Sequence, residues 1–471
     1  MTSLRGHVSN ITYSTFFSIK AASVDVIKFG PPFSRVLREL EASQWYSAEA
    51  LEALQSRKLQ ALIRHAYERV PYYRGLFDRL RLKPDDIRSP ADLKKLPLLD
   101  KATVRNNPEL FVARTAVPAK HFPGWTTGTT GTPLNALRSR ESIVFENAMI
   151  WRQRRLAGLK FRCRKVAVWG TIWENVIVPA QQRVPPFWRF NAADNQLLLS
   201  YYHISDETLP AYIQRMESFD PEFIEGFPSS ILILARYLNK VRRTLPLKAI
   251  FTSSEMLYTT HRMEMEQAFA TRVFDLYGQA ERSVAATECE HHAGLHINPE
   301  YGVFEILNDG QDAPAGTIGD VVGTGLNNYV MPLIRYRTGD LATLSADRCP
   351  CGRHMPRLAG IQGRKADVIR TPDGRIVPGN GLMGAFHGIA NIKQSQVIQE
   401  QPDLVVVRLQ REDLTQPVDT THLQANLSAC LGDHVRIEFQ QVDEIDKGGR
   451  SKFQWVASHV PAGEKDAGSG T

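Results

Sequence analysis

The sequence predicts an α/β protein: a large N-terminal domain with mixed α/β sheets over residues 1–362, then a small mobile α+β C-terminal domain over residues 363–460. Three observations carry this reading. Between Lys165 and Tyr277, short apolar strands alternate with helical segments of about 10–15 residues, as in a largely parallel sheet. From Glu305 the character changes to short strands and glycine-rich turns such as Gly316-Thr-Ile-Gly319. From Gly363 a hairpin about Asp373-Gly374 opens what reads as a separate unit. A chain of 471 residues has room for two or three domains, and 43% apolar and 23% charged content is ordinary for a globular protein.

Residues 1–40 carry little pattern and are expected to form an irregular arm. From Ser47, Leu51, Leu54, Leu59, Leu62, Ile63 and Ala66 fall on one helical face, which ends near Val70-Pro71 because proline disfavours helix in the residue before it. Ser89-Pro90 opens a short helix to Lys95, serine as cap and proline in the first turn. A loop, Leu96 to Lys101, follows. Glu141 to Ala157 reads as a helix and Lys165 to Gly170 as a buried strand. Glu222 to Ser230 reads as strand, turn and helix start, with Ser229 or Ser230 capping a helix to Val241. Lys248–Ser253 and Arg272–Tyr277 read as strands flanking a helix from Thr259 to Ala270. In the small unit, strands are expected at Leu404–Leu409 and Val435–Gln440, with a helix at Thr420–Leu431 between them. The last dozen residues, 461–471 above all, are expected to be disordered. No internal repeat is present.

The net charge of +7 is modest and spread out; it suits an anionic ligand such as a nucleotide without arguing for nucleic acid. The basic clusters Arg152–Arg155 and Lys160–Lys165 read as solvated faces. No apolar run reaches the roughly 18 residues of a membrane span, and the N-terminus lacks the pattern of a signal peptide. Five cysteines without framework spacing point to a reducing, cytoplasmic setting.

The stretch Thr126-Thr127-Gly128-Thr129-Thr130-Gly131-Thr132-Pro133 holds five threonines and two glycines. Glycines let backbone N–H groups turn toward an anion, and threonine hydroxyls add donors for phosphate oxygens or ligands for Mg²⁺. The glycine-lysine-serine ending of the common P-loop is missing. Taken alone, the stretch fits a solvated Thr/Gly linker equally well. Four further stretches change the balance. Tyr277-Gly278-Gln279-Ala280-Glu281 follows a buried strand, where α/β sheets bind their ligands; a tyrosine there can stack on a purine and a glutamate can hold Mg²⁺. Tyr336-Arg337-Thr338-Gly339-Asp340 puts an aspartate at a tight turn, able to accept from both ribose hydroxyls. The others are Gly363-Arg364-Lys365-Ala366-Asp367, at the domain boundary, and Gly448-Gly449-Arg450-Ser451-Lys452.

In this order and spacing the stretches resemble the adenylate-forming superfamily of acyl-CoA synthetases, luciferases and adenylation domains. The resemblance is closer to its phenylacetate–CoA ligase branch, through His65-Ala66-Tyr67-Glu68-Arg69-Val70-Pro71-Tyr72-Tyr73-Arg74 and Leu96-Pro97, and spans about residues 45–460. It implies that a carboxylate attacks the α-phosphate of ATP to give an acyl-adenylate, after which a thiol, most often that of CoA, displaces AMP. On this resemblance Thr126 to Thr132 hold the β- and γ-phosphates. Tyr277 and Gly278 flank the adenine, Glu281 ligates Mg²⁺ and Asp340 binds the ribose. Lys452 bridges the carboxylate and α-phosphate, Arg364 lies near the phosphates at the hinge, and Gly226 to Ser230 line the acyl pocket. Trp151, Trp169 and Trp173 fit an apolar pocket lining or core packing equally well.

Three departures stand out. Ser451 and not glycine precedes Lys452, which makes Lys447 a rival; Ala366 stands where many relatives carry a hinge aspartate; Ala280 replaces a small hydroxyl residue. Cys289 and His296, with Cys349-Pro350-Cys351-Gly352-Arg353, form a thiolate and imidazole set suited to structural zinc, and the CxCGR pattern resembles zinc-containing members of the branch. The alternative is buried reduced cysteines beside unrelated histidines. Cys163 and Cys430 read as packing residues. The leading expectation is an acid–thiol ligase using ATP, Mg²⁺ and CoA on a small carboxylic acid, aromatic acids among the candidates. Alternatives are transfer to an amine, a sugar or a carrier protein, as in members associated with capsular polysaccharide, or a catalytically silent nucleotide-binding homologue.

Overall fold

The computed structural model describes residues 15, 18–115, 121–124, 134–169, 171–172, 175–176, 178, 182–364, 368–373, 375–379, 382, 384–386, 388–445 and 454–460. The Thr126–Thr132 loop, Lys447 and Lys452, Ala366 and Trp173 all lie outside them, as does the 461–471 tail.

Thirteen strands form one sheet. In chain order they are β1 Lys165–Trp169, β2 Trp188–Asn191, β3 Gln196–Ser200, β4 Phe223–Gly226, β5 Ala249–Ser253, β6 Val273–Gly278, β7 Ala285–Glu288, β8 Leu295–Ile297, β9 Gly302–Asn308, β10 Gln311–Asp312, β11 Ile318–Gly325, β12 Tyr336–Leu344 and β13 Arg357–Arg364. Their spatial order is 10-9-11-12-13-8-7-6-5-4-1-3-2. The run β3-β1-β4-β5-β6 is parallel, as the strand–helix alternation predicts. Beyond β6 every pairing is antiparallel, which accounts for the change of character near Glu305. A separate four-stranded sheet contains Ile392–Gln401, Leu404–Arg411, Arg436–Gln441 and Val456–Ser458, packed on the helix Thr420–Leu431. The hairpin before it pairs Val368–Arg370 with Ile376–Pro378. Tyr258 of the large sheet's unit joins the small core, its ring 5.2 Å from that of Trp455.

The helices fall close to the expected places, at Ala48–Arg69, Arg140–Leu156, Pro228–Lys240, Thr259–Phe269 and Thr420–Leu431. Three local expectations are corrected and one helix is added. The described end of the N-terminal arm is not irregular: Pro32–Ser43 is a helix whose Phe33, Leu37 and Leu40 pack on Val144, Ala148 and Trp151. A second helix, Pro71–Leu80, starts at the proline that ends its predecessor, because proline's fixed φ suits a first helical position. The segment Pro90–Lys95 is a 3₁₀ helix whose Asp92 accepts from both the N–H and the hydroxyl of Ser89. Neither Ser229 nor Ser230 caps the next helix; the Ser229 N–H donates to Glu255, 3.1 Å away, and the Ser230 hydroxyl turns to the Phe227 carbonyl.

Of the basic clusters, Arg155, Lys160, Arg162 and Arg164 are exposed as expected, but Arg152, Arg154 and Lys165 are not. Arg152 is buried in an ion pair with Glu300 at 2.9 Å, and Arg154 pairs with Glu225. Lys165 is fully buried 2.7 Å from Asp194. Such charges enter a core only with a partner, because an unpaired one costs several kcal/mol, roughly, to desolvate. Trp151 is core, while Cys163 and Cys430 pack against apolar clusters as expected.

Candidate nucleotide and metal sites

A cleft of about 1980 Å³ opens beyond the carboxyl ends of β5 and β6 and runs between the large sheet and the small domain. Its first wall is the turn after β6. Gln279 fixes that turn: its amide donates to the Tyr277 hydroxyl at 2.8 Å, and its carbonyl oxygen accepts from the Ser283 hydroxyl and the Val284 N–H. The Tyr277 hydroxyl in turn donates to Asp340 Oδ2 at 2.7 Å. Asp340 lies one residue beyond Gly339, whose φ of 80° needs glycine's freedom, and it is the cross-strand neighbour of Arg364. The Arg364 guanidinium stands 3.4 Å from Asp340 Oδ1. Burial lifts the Asp340 carboxyl above the usual carboxylate range while Arg364 pulls it back, and burial with the nearby Asp340 pushes the Tyr277 hydroxyl far up. Tyr277 is therefore a neutral donor and ring surface.

Glu281 is held from the other side. Its Oε1 accepts from the buried Tyr336 hydroxyl at 2.8 Å and lies 3.7 Å from Lys101. Lys101 reaches it because the loop before it is pinned to β12: the Leu99 N–H donates to the Arg335 carbonyl and the Arg337 N–H to that of Leu99. Sequence reasoning read Leu96–Lys101 only as a loop and so missed Lys101. The legs of the Thr/Gly stretch are also described. Phe122 and Arg138 exchange backbone hydrogen bonds, the Ala136 N–H donates to Gly124, and Arg138 donates to the Ala280 carbonyl, so both legs stand beside the turn after β6. Of Gly226–Ser230 only Ser229 lines the cleft. At Gly226 a Cβ would stand 2.7 Å from the Val168 carbonyl, so that glycine serves the close approach of β4 to β1.

Asp275, on β6, also faces the cleft. It accepts from Thr252 at 2.6 Å, and burial, then repulsion from Glu288, push it up to about 7. A carboxyl with a raised folded pKa favours the fold below its unfolded pKa and loses that contribution as pH rises through 7. Asp275→Asn removes this dependence. Its melting temperature relative to the parent is expected to rise between pH 5 and pH 8, in thermal melts at both; an equal difference at both values would refute the burial of a titrating acid.

The sulfur and imidazole set lies behind this wall. Cys289 follows β7, His296 sits in β8, and Cys349 and Cys351 lie on the loop joining β12 to β13. One donor atom from each of the four falls within 4.8 Å of all the others. Cys289 and Cys349 sulfurs are 3.6 Å apart, and Cys351 Sγ is 3.4 Å from His296 Nε2. Ligands held about 2.3 Å from a tetrahedral Zn²⁺ stand about 3.8 Å from one another, so the spacing fits that ion and excludes a disulfide. Burial keeps the imidazole neutral, down to about 4, which is its ligand form. His291 and His292 stay outside the set. Gly352, at φ 80°, turns the loop, and Arg353 fixes it to Glu290 at 2.9 Å and to Gln44 while covering Trp45.

Residues 369–459 match the CapK C-terminal domain family. Protein CapK of Staphylococcus aureus is 26% identical over 413 residues, covering 85% of this chain and 88% of its own length. The phenylacetate-coenzyme A ligase of Thermus thermophilus is 27% identical over 334 residues, covering 68% of this chain and 72% of its own. In fold, a 2-hydroxyisobutyryl-CoA ligase in its postadenylation state superposes with a TM-score of 0.69 over 88% of this chain and 90% of that one, at 19% identity. The sequence similarity to CapK and the phenylacetate-coenzyme A ligase, with the fold shared with the 2-hydroxyisobutyryl-CoA ligase, supports the chain's place in the phenylacetate–CoA ligase and CapK branch of the adenylate-forming proteins.

Proposed function

We propose that the chain is an ATP-dependent, AMP-forming acid–thiol ligase that activates a small carboxylic acid as its adenylate and passes the acyl group to CoA. The observation that carries this is the pairing of Tyr277–Asp340–Arg364 with Glu281–Tyr336–Lys101 on one wall of the cleft, at the end of a parallel strand. Asp340, already carrying the Tyr277 hydroxyl, keeps acceptor capacity for a ribose hydroxyl, and the Tyr277 ring and Gly278 flank the base. Glu281 would hold Mg²⁺, which would supply charge neutralisation as two anions approach. Tyr336 and Lys101 fix the Glu281 carboxylate, Arg364 answers the phosphate charge, and Thr126–Thr132 grip the β- and γ-phosphates. Cys289, His296, Cys349 and Cys351 would hold structural Zn²⁺, tying the strand after the Tyr277 turn to the loop after Asp340. Reduced thiols of this kind suit the cytoplasm.

A second reading, transfer to an amine, a sugar or a carrier-protein thiol, is favoured by the CapK-type C-terminal domain. Pyrophosphate release across a panel of carboxylic acids, each with and without CoA, separates the two. Turnover that needs CoA is expected; release that continues without it would point to another acceptor, and no release with any acid would overturn the ligase reading.

A further inference from the structure

The far wall of the cleft, toward the helix Arg140–Leu156, is lined by Arg138, Arg282 and Glu146 together with Ile150 and Leu276. Arg138 stands on the leg that follows the Thr/Gly stretch, paired with Phe122. Its guanidinium lies so flat on Gly124 that a Cβ there would be 2.2 Å from Nε, and its Nη2 donates to the Ala280 carbonyl at 2.8 Å. Arg282 directly follows Glu281 in the left-handed region, φ 55°, where a non-glycine residue is held only by its surroundings. Its Nη2 pairs with Glu146, and only 10% of its side chain is exposed. Arg282 Nε and Nη1 and Arg138 Nε are nonetheless buried without a hydrogen-bond partner among the described residues. The two guanidiniums are near enough to repel each other, and Glu146 offers one negative charge to both. Glu281 is already engaged by Tyr336 and Lys101.

Buried charged donors without acceptors are costly, and a neutral aromatic acid pushed against them would desolvate them further. A carboxylate offers the paired acceptors that a guanidinium fork takes up. The location names the ligand. Arg282 directly follows Glu281, the carboxylate that would face the reacting centre, and with Arg138 it lines the cleft beside the apolar Ile150 and Leu276, so an acid activated at one end can bring its other end to the arginines.

We propose that Arg138 and Arg282 bind a second carboxylate on the acyl substrate, so that the enzyme activates dicarboxylic acids in preference to neutral aryl or alkyl acids. This rests on the ligase reading. The test compares short dicarboxylates with their monomethyl esters and with phenylacetate in the pyrophosphate assay, and also follows the melting temperature of the full chain with each acid in the absence of ATP. Expected are a preference of at least tenfold in kcat/KM for a diacid over its monoester, collapse of that ratio toward one in Arg282→Gln and Arg138→Gln, and partial recovery in Arg282→Lys. Equal use of diacid and monoester would overturn the proposal while leaving the ligase intact. Variants that raise KM for ATP and not KM for the acid would assign the arginines to the nucleotide's phosphates and overturn it too. Should no acid give pyrophosphate, the ligase reading fails separately. A melting shift with the dicarboxylate that disappears in Arg282→Gln would then still support the site, and the lack of any shift would overturn it.

Discussion

Lys452→Ala is expected to lower pyrophosphate release by about three orders of magnitude while ATP binding weakens only a few-fold. The reasoning joins chemistry to chain reach. A carboxylate and a phosphate repel as they approach, and a compact ammonium between them stabilises chiefly the transition state, so its loss falls on kcat. About 4 kcal/mol of such stabilisation is worth roughly a factor of a thousand. Lys452 lies two residues from Gln454, which with Trp455 and Val456 lines the cleft. That strand is anchored: Gln454 accepts from Gln396 at 2.9 Å, the Trp455 ring nitrogen donates to Ser395, and Val456 pairs with Val397. Two residues of chain span at most about 7 Å, within the reach of a lysine side chain, whereas Lys447 is seven residues from the same anchor. Lys447→Ala is therefore expected to act mildly. The assignment fails if Lys447→Ala removes pyrophosphate release and Lys452→Ala does not, with both variants folded and binding ATP.

What the sequence made legible follows from what is local. The strands Lys165–Trp169, Phe223–Gly226, Ala249–Ser253 and Val273–Gly278 announce themselves because a parallel strand buried on both faces reads as a continuous apolar run, and the helices between them keep their period. Tyr277, Glu281 and Asp340 were readable for the same reason, each sitting beside a strand end or a glycine turn. The residues that hold them were not. Tyr336 was quoted only as the start of a motif, yet it is the buried donor that aims Glu281; Lys101 reaches the same carboxylate from 180 positions away in the chain. Arg138 and Arg282 belong to none of the sequence motifs, and only the long-range hydrogen bond from Arg138 to the Ala280 carbonyl brings the two to one wall. The polar strand Ile392–Gln401 was missed because its buried residues, Val397, Ile398 and Gln399, are three in a row where an alternating pattern marks a half-exposed strand. The helix Pro32–Ser43 was missed although Phe33, Leu37 and Leu40 carry a helical period.

Loss of the proposed zinc should cost both stability and nucleotide affinity. The protein purified without added metal is expected to carry about one zinc per chain, and Cys289→Ser or Cys349→Ser to carry none. The four donors join β8, the end of β7 and the loop between β12 and β13, segments 60 residues apart between Cys289 and Cys349. An ion there closes that long excursion, and stripping it leaves three thiols packed against one another with burial pushing Cys289 up to about 12. Structural zinc contributes folding free energy directly, so a loss of several kcal/mol, roughly, follows for the variants. The effect should spread in one direction. β7 carries Glu288, which accepts from the Asp275 N–H at 2.8 Å, and β12 carries Asp340, so loosening either strand loosens the floor beneath Tyr277. A zinc-free variant is thus expected to show a raised KM for ATP along with its lowered melting temperature, while Cys163→Ser and Cys430→Ser, outside the cluster, change neither the metal content nor KM. Metal analysis finding no zinc in the parent protein would remove the site. Zinc-free variants that melt like the parent would show that the thiols are mere packing.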